Sequence, residues 1–243
     1  MQKKKQRRMS TDRLHLVLML ALTFSTGVID AVGYLGLDRV FTGNMTGNVV
    51  LLGMAFAGGA DLPILRPALA LVFFMLGAAL AGRVLRHGSE GWSGKTSGTL
   101  LTVTVGLVGL TVFVALVDVH AEEILGSITT SVLALVMGIQ AATAKRLKVA
   151  EITTVVVTST ITGLASDSRL AGGKSPFWAR RFFAIALIMA GAVAGALTLL
   201  VSLWLGIALS ALISGVVTLL GHLRHRQDRR SIAAEAAPSS ERA

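Results

Sequence analysis

Residues 184–203 read AIALIMAGAVAGALTLLVSL and contain no charged side chain. A helix needs about 20 predominantly apolar residues to cross the ~30 Å hydrocarbon core of a bilayer. This stretch has that length, and a charge-free run of this kind is not expected in a soluble protein. It therefore predicts a membrane-spanning helix.

The rest of the chain has the same character. Of its 243 residues, 53% are apolar and only 15% are charged, whereas soluble domains carry about 25% charged residues. A mean hydropathy of +0.71 agrees with this composition. The sequence predicts an all-α polytopic membrane protein. Its eight apolar runs cover approximately residues 14–37, 40–60, 64–82, 98–117, 124–144, 149–166, 182–202 and 203–223.

The distribution of lysine and arginine, which concentrate in cytoplasmic loops, indicates how many runs cross the membrane. If all eight cross, 16 of the 23 basic residues lie inside. If runs 40–60 and 149–166 instead return to the side they came from, 21 lie inside and only Arg39 and Arg66 lie outside. We therefore expect six spans, two re-entrant or broken segments, and cytoplasmic termini.

This count divides the chain into three parts. Residues 1–13 form a basic cytoplasmic arm, residues 14–223 a single transmembrane domain with halves of about 14–118 and 122–223, and residues 224–243 a basic, disordered cytoplasmic tail. The net charge of +10 is concentrated at the two ends. Basic residues beside apolar runs favour anionic lipid head groups over nucleic acid as partners.

A weak internal repeat relates the two halves. Gly27-Val28-Ile29-Asp30-Ala31 is followed by Gly53, and Gly138-Ile139-Gln140-Ala141-Ala142 is followed by Gly163 at nearly the same spacing. In the six-span arrangement the first copy starts inside and the second starts outside. Such inverted-topology repeats are typical of transporters with a binding site near the membrane midplane.

Polar residues at matching places are the candidate binding residues. Asp30 lies within the first span, where a carboxylate is costly and needs a partner, a proton or water. Asn44, Thr46, Gly47 and Asn48 suit the start of a half-helix near Met45, because Asn and Thr cap helices and glycine permits close approach. The free N–H groups of such a half-helix suit an anion or a neutral polar solute.

The second half offers a smaller polar set. Gln140 can hydrogen-bond across the interface between the repeats, and Thr158 and Thr160 are the inverted counterparts of the first cluster. For Gln140, a plain helix-to-helix contact is the alternative. Gly191 and Gly195 form a Gly-x-x-x-Gly motif that seats a close helix crossing, either inside the chain or between copies of it.

These segments resemble the YoaK-like bacterial membrane proteins, a family with a domain of unknown function. The resemblance rests on the Gly27–Ala31 segment, on Phe41-Thr42-Gly43-Asn44-Met45-Thr46-Gly47-Asn48 and on Met137-Gly138-Ile139-Gln140, and it covers about residues 14–225. Ala141 and Ser159 stand where the family usually shows Asn and Gly. The resemblance implies a bacterial inner-membrane protein of about six spans and supplies no substrate.

We therefore expect a transporter or channel for a small solute or ion, with Asp30 taking up a proton or cation. The alternative is a membrane scaffold or accessory subunit that binds lipid or a protein partner without transport. No nucleophile–base pair is visible, so the chain is not expected to be an enzyme. We expect no metal site or cofactor, and homo-oligomerisation stays open.

Overall fold

The computed structural model describes residues 2–59, 61–86, 91–119, 121–147, 157–174 and 177–236. These residues form α-helices that are joined by loops, which confirms the all-α fold class. The helices are α1 (Gln2–Gly36), α2 (Met45–Phe56), α3 (Leu65–Leu85), α4 (Gly94–Leu116), α5 (Glu123–Leu147), α6 (Val157–Ser166), α7 (Trp178–Leu199) and α8 (Leu203–Ala236).

Six helices in the described ranges are long and apolar enough to cross a bilayer: α1, α3, α4, α5, α7 and α8. The other two are short, with 12 residues in α2 and 10 in α6. At 1.5 Å per residue α2 rises by only about 18 Å, less than the ~30 Å hydrocarbon core, whereas α6 is described from residue 157 onward only. The predicted number of six long spans is confirmed. Residues 148–156, where run 149–166 begins, lie outside the described residues.

The outside of the bundle is apolar. Large side chains such as Val105, Met189 and Leu197 are more than half exposed, which is unfavourable in water and neutral against lipid tails. α1 and α5 are the most enclosed helices: 61% of the most apolar part of each is buried, against 17% in α7. Residues on α1 and α5 are therefore the ones best placed to form an internal site.

A close crossing joins α1 to α7. A Cβ atom placed on Gly27 would overlap the carbonyl oxygen of Ile188, and one placed on Gly191 would overlap the carbonyl oxygen of Phe24. Gly195 continues the contact with α1. The two backbones touch here because glycine has no side chain to separate them. The Gly191-x-x-x-Gly195 motif thus packs helices within the chain.

A second crossing, between α3 and α5, has the same form. Gly77 lies against the carbonyl of Leu135, and Gly138 lies against the carbonyl of Phe74. In both crossings, each glycine contacts the residue three positions before the glycine of the other helix. The other packed pairs include α4 with α8, α1 with α8, α4 with α5, α2 with α3, and α6 with α7.

The C-terminal segment corrects one expectation. α8 continues as a helix to Ala236, so residues 224–236 of the segment expected to be disordered are helical. Within this extension, Arg224 donates from Nη2 to the Thr11 hydroxyl of α1 over 2.9 Å and lies 3.6 Å from Asp228. Thr11 in turn donates to Asp228 Oδ2 over 3.4 Å. The bonds of Thr11 to Arg224 and Asp228 hold this part of α8 to α1, which the composition of the tail alone did not indicate.

Candidate functional site

The loop between α1 and α2 is organised by one carboxylate of α1. Asp30 Oδ1 accepts hydrogen bonds from three successive backbone N–H groups, those of Thr42 (3.2 Å), Gly43 (2.7 Å) and Asn44 (3.2 Å). Asp30 thereby satisfies amides at the N-terminal end of α2 and places negative charge beside the positive end of its dipole. The carboxylate that the sequence singled out supports the entry into α2.

Gly43 is required at this contact. A Cβ atom on it would lie 2.9 Å from Thr26 Cγ2 and 3.3 Å from the carboxylate oxygen of Asp30. A side chain would therefore push the loop away from α1 and lengthen its hydrogen bonds to the carboxylate. Glycine here serves close approach, as expected from the sequence.

Two asparagines shape the first turn of α2, which begins at Met45 as predicted. Asn44 is the N-cap, and its Oδ1 accepts from the backbone N–H of Gly47 over 3.2 Å. Asn48 is fully buried and binds the backbone of Phe41 twice: Oδ1 accepts from its N–H over 2.9 Å, and Nδ2 donates to its carbonyl over 2.5 Å. Asn44 thus caps the helix, while Asn48 fixes the preceding loop.

A cavity of about 480 Å³ opens against this loop, within the ~300–1,000 Å³ range of small-molecule sites. Four helices contribute to it: α1, α2, α6 and α7. The first turns of both short helices line it, although α2 and α6 are far apart in sequence. Its lining residues are Thr26, Asp30, Tyr34, Phe41, Gly43, Asn44, Thr46, Gly47, Val50, Leu51, Met54, Val157, Thr158 and Ile188.

Five of the eight candidate residues line this cavity, namely Asp30, Asn44, Thr46, Gly47 and Thr158. The other three lie behind its walls. Asn48 is buried against the Phe41 backbone, Thr160 is buried in α6, and Gln140 is buried in α5. The structure therefore brings the two predicted clusters to one place, and it separates residues that face the cavity from residues that support its walls.

Gln140 connects α5 to α1 through a residue that lines the cavity. Its Nε2 donates to the Thr26 hydroxyl over 3.3 Å, and Thr26 itself lines the cavity. The side chain is only 1% exposed, and among the described residues its Oε1 has no hydrogen-bond partner. The bond across the two halves that the sequence suggested is present, and a buried acceptor beside it is left unsatisfied.

The sequence reasoning did not single out the aromatic and hydroxyl residues around Asp30. Thr26 precedes Asp30 by four residues and Tyr34 follows it by four, so all three share one face of α1. Helical spacing around an intramembrane carboxylate could therefore have found them. Phe41 stacks on Tyr34 with ring centroids 4.8 Å apart, and no local pattern marks that contact.

Arg181 was also missed. It is a buried cation on α7 that holds the end of α6. Its Nη1 donates to the carbonyl of Gly163 over 2.5 Å and to Asp167 Oδ2 over 2.6 Å. The Gly163 carbonyl also accepts from the backbone N–H of Asp167 over 3.2 Å, and a guanidinium at a helix C-terminus complements the dipole. Since α6 carries Thr158, this contact positions one wall of the cavity.

Comparison with known proteins agrees with this architecture. The family described as "Protein of unknown function (DUF1275)" matches residues 18–220, which include α2 to α7 and about half of α1 and of α8. The chain belongs to this family. It is also 35% identical over 162 residues to the UPF0700 transmembrane protein YoaK of Bacillus subtilis (strain 168). That match covers 62% of this chain and 65% of the relative.

No solved structure matches the chain significantly. The matched relative is named as a transmembrane protein, and the six apolar helices of the described residues agree with a multi-pass membrane protein. The family membership and the all-α fold class of this chain are thus shown without an activity, so function has to be argued from the cavity.

Proposed function

We propose that this DUF1275 protein is a transporter or channel for a small solute or ion, with its binding site at the cavity between α1, α2, α6 and α7. The observation that supports this most directly is that the first turns of α2 and α6 line one cavity together with Asp30. Ionisable residues inside membrane segments are costly and commonly mark transport pathways. Interrupted helices that meet at a cavity are typical of transporter binding sites.

The packing supports an inverted-repeat interpretation. Exchanging α1–α4 for α5–α8 turns the α1–α7 pair into α5–α3, α2–α3 into α6–α7, and α1–α8 into α5–α4, and each of these pairs packs in the fold. The α4–α8 pair is unchanged by the exchange. The shared register of the two glycine crossings follows the same exchange. Four helices per repeat is the division that the sequence suggested.

For the topology, we propose that α2 and α6 are re-entrant and that both termini are cytoplasmic, in the inner membrane of a bacterium. The supporting observations are the length of α2, which at 12 residues is too short to cross, and the basic residues that this arrangement puts inside. In this arrangement α2 enters from outside and α6 from inside, so their first turns meet within the bilayer.

A membrane scaffold or accessory subunit is the second candidate function, and one observation favours it. The basic ends of α1 and α8 lie together through the Arg224–Thr11 hydrogen bonds, which concentrates positive charge on one side of the bundle. Such a surface attracts anionic head groups. Lipid binding there is compatible with transport, as is homo-oligomerisation. We also propose that the protein is not an enzyme and uses no cofactor.

The test is flux through the full chain reconstituted in vesicles. Sodium, potassium and tetramethylammonium chloride would be assayed by electrical currents on a supported membrane, and glycerol by light scattering. We expect at least one solute to cross faster than in protein-free vesicles. Asp30→Asn should lower that flux by about tenfold or more, as for the loss of a hydrogen bond to a charged group. The transport proposal would be overturned by wild-type vesicles that match protein-free vesicles for every solute.

The Asp30→Asn variant removes the negative charge of Asp30 and should leave the fold of the loop intact. The amide oxygen of Asn can still accept from the backbone N–H groups of residues 42–44, so the loop should keep its shape. Asp61→Asn is the matched control, since Asp61 is exposed outside the cavity at φ 55°, a conformation that Asn tolerates. An equal flux in both variants, with folding intact, would show that Asp30 is not part of the transport pathway.

A further inference from the structure

The two oxygens of Asp30 have different surroundings. Oδ1 accepts all three backbone hydrogen bonds of the loop, and among the described residues Oδ2 has no hydrogen-bond partner. Asp30 nevertheless lines the cavity. Oδ1 is therefore used to hold the loop, whereas Oδ2 is available to contact a molecule in the cavity.

The sign of the charge in the cavity follows from this carboxylate. Among the described lining residues, Asp30 is the acidic one, and no lysine, arginine or histidine is present. A helix N-terminus carries only about half a unit of positive charge, and at α2 the carboxylate already faces it. A bound anion would have to lie beside a full negative charge, so the expectation of an anion at this helix start is not supported. A cation would be attracted.

An aromatic pair lies next to the carboxylate. Tyr34 and Phe41 both line the cavity and stack with their ring planes 24° apart. Phe41 is held on its backbone by Asn48 and on its ring by Gly47, where a Cβ atom would lie 2.6 Å from Phe41 Cδ2. These contacts fix the position of Phe41 in the cavity wall. Aromatic faces beside a carboxylate favour organic ammonium groups through cation–π attraction.

The remaining wall is apolar and suits alkyl groups better than a hydrated metal ion. Among the described lining residues, the aliphatic ones are Val50, Leu51 and Met54 of α2, Val157 of α6 and Ile188 of α7. Small hydrated ions need several oxygen ligands at short distances, whereas the described lining residues offer one available carboxylate oxygen and scattered hydroxyl and amide groups. Its volume of about 480 Å³ also leaves room for a molecule larger than an ion.

We propose that the cavity binds a small organic cation, an ammonium group with alkyl substituents, between Asp30 and the Tyr34–Phe41 pair. The positive centre lies against Asp30 Oδ2 and the rings, and the alkyl groups lie against the apolar residues of α2. This inference deepens the proposed function and rests on it only for the step from binding to transport.

The test is equilibrium binding to the purified full chain in detergent, measured by calorimetry. Three probes share a trimethyl shape and differ in charge: tetramethylammonium, tert-butanol and trimethylacetate. We expect tetramethylammonium to bind at least about tenfold more tightly than the other two, as for a cation–π site with a desolvated partner. Tighter binding of trimethylacetate, or equal binding of all three, would overturn the proposal.

Four variants show how much the carboxylate and the aromatic ring each contribute to the binding of tetramethylammonium. Asp30→Asn should weaken tetramethylammonium binding by about tenfold or more, and Tyr34→Leu should weaken it by severalfold through loss of the aromatic face. Tyr34→Phe keeps the ring and should bind like the wild type, as should the distant control Asp61→Asn. If Tyr34→Leu and Tyr34→Phe behave alike, the aromatic part of the proposal is wrong.

The binding and flux measurements test the organic-cation inference and the transport proposal separately. Flux of sodium or glycerol without tetramethylammonium binding would leave a transporter and remove the organic-cation inference. Tetramethylammonium binding that depends on Asp30 and Tyr34 without any flux would support the cavity as an organic-cation site and remove the transport proposal.

Discussion

Asn48 holds the backbone of Phe41 with both ends of its side-chain amide, over 2.9 and 2.5 Å. One buried side chain thus replaces the two backbone partners that a residue in a loop lacks. Because Phe41 is also half of the aromatic pair beside Asp30, the shape of the cavity depends on a residue that does not line it.

Replacing Asn48 with alanine should therefore destabilise the loop strongly. The change leaves the N–H and carbonyl of Phe41 without their partner, and each unsatisfied buried group costs about 1–3 kcal/mol. Asn44→Ala is the matched control, because the exposed Asn44 makes one capping bond worth ~1 kcal/mol. Thermal unfolding in detergent, followed by circular dichroism, should show a larger decrease in Tm for Asn48→Ala. A larger decrease for Asn44→Ala would contradict this assignment.

The glycine crossings give a prediction within a single helix. Gly77→Ala would force a Cβ atom into the Leu135 carbonyl, whereas a Cβ atom at Gly82 of the same helix meets nothing within 4 Å. Overpacking of this kind costs about 1–3 kcal/mol, and alanine in an open helix position is favourable by up to ~1 kcal/mol. Tm should therefore fall for Gly77→Ala and hold or rise for Gly82→Ala.

The pseudo-symmetry adds a second comparison. Gly191→Ala places its Cβ atom against the Phe24 carbonyl in the equivalent way, so its loss of stability should match that of Gly77→Ala. If one of the two substitutions is harmless while the other unfolds the protein, the two crossings are not equivalent, and the repeat interpretation loses its packing argument.

Arg181 should control how readily α6 unfolds locally. Arg181→Met removes the hydrogen bond to the Gly163 carbonyl and the ion pair with Asp167. A hydrogen bond to a charged group contributes about 1.5–3 kcal/mol, so amide hydrogen exchange in residues 157–166 should become about tenfold faster or more. Asp167→Asn keeps the bond to Gly163 and should accelerate exchange less. Equal acceleration in both variants would mean that the ion pair, and not the capped carbonyl, holds α6.

Much of the fold could be predicted because the bilayer imposes simple rules on length and charge. Those rules gave the number of long spans, and the Asn and Gly pattern gave the start of α2 at Met45. The contacts of Arg181 with Gly163 and of Phe41 with Tyr34 depend on how separate segments meet in space. Local patterns carry no information about such pairs, so they required the structure.

For the same reason, the sequence could not predict which polar residues line the cavity and which support its walls. Asn44 and Asn48 have equal standing in the sequence motif, yet Asn44 lines the cavity while Asn48 lies behind it. Which face of the first turn meets the cavity depends on the packing of α2 against α3, a tertiary contact that the motif does not encode.

The proposed topology can be tested because the chain contains no cysteine. Single cysteines at Arg86, Ala121 and Lys174, which are exposed in the loops after α3, α4 and α6, would be labelled on intact cells with a membrane-impermeant thiol reagent. With two re-entrant helices, only position 121 should react, and all three should react after permeabilisation. Reaction at position 86 but not at 121 on intact cells would mean that the 40–60 segment crosses the membrane.

Gln140 offers a way to separate a structural role from a role in transport. Its Oε1 is buried and has no partner among the described residues, and such a group costs about 1–3 kcal/mol. Gln140→Leu removes that group together with one bond to Thr26 worth ~1 kcal/mol, so Tm should change little or rise.

If Gln140 serves only the contact between α5 and α1, flux in vesicles should also be unchanged. If its amide contributes to the solute pathway next to Thr26, flux should fall while Tm holds, and Gln140→Glu should not restore it. A marked loss of stability in Gln140→Leu would instead show that the Thr26 bond is a main link between the two halves.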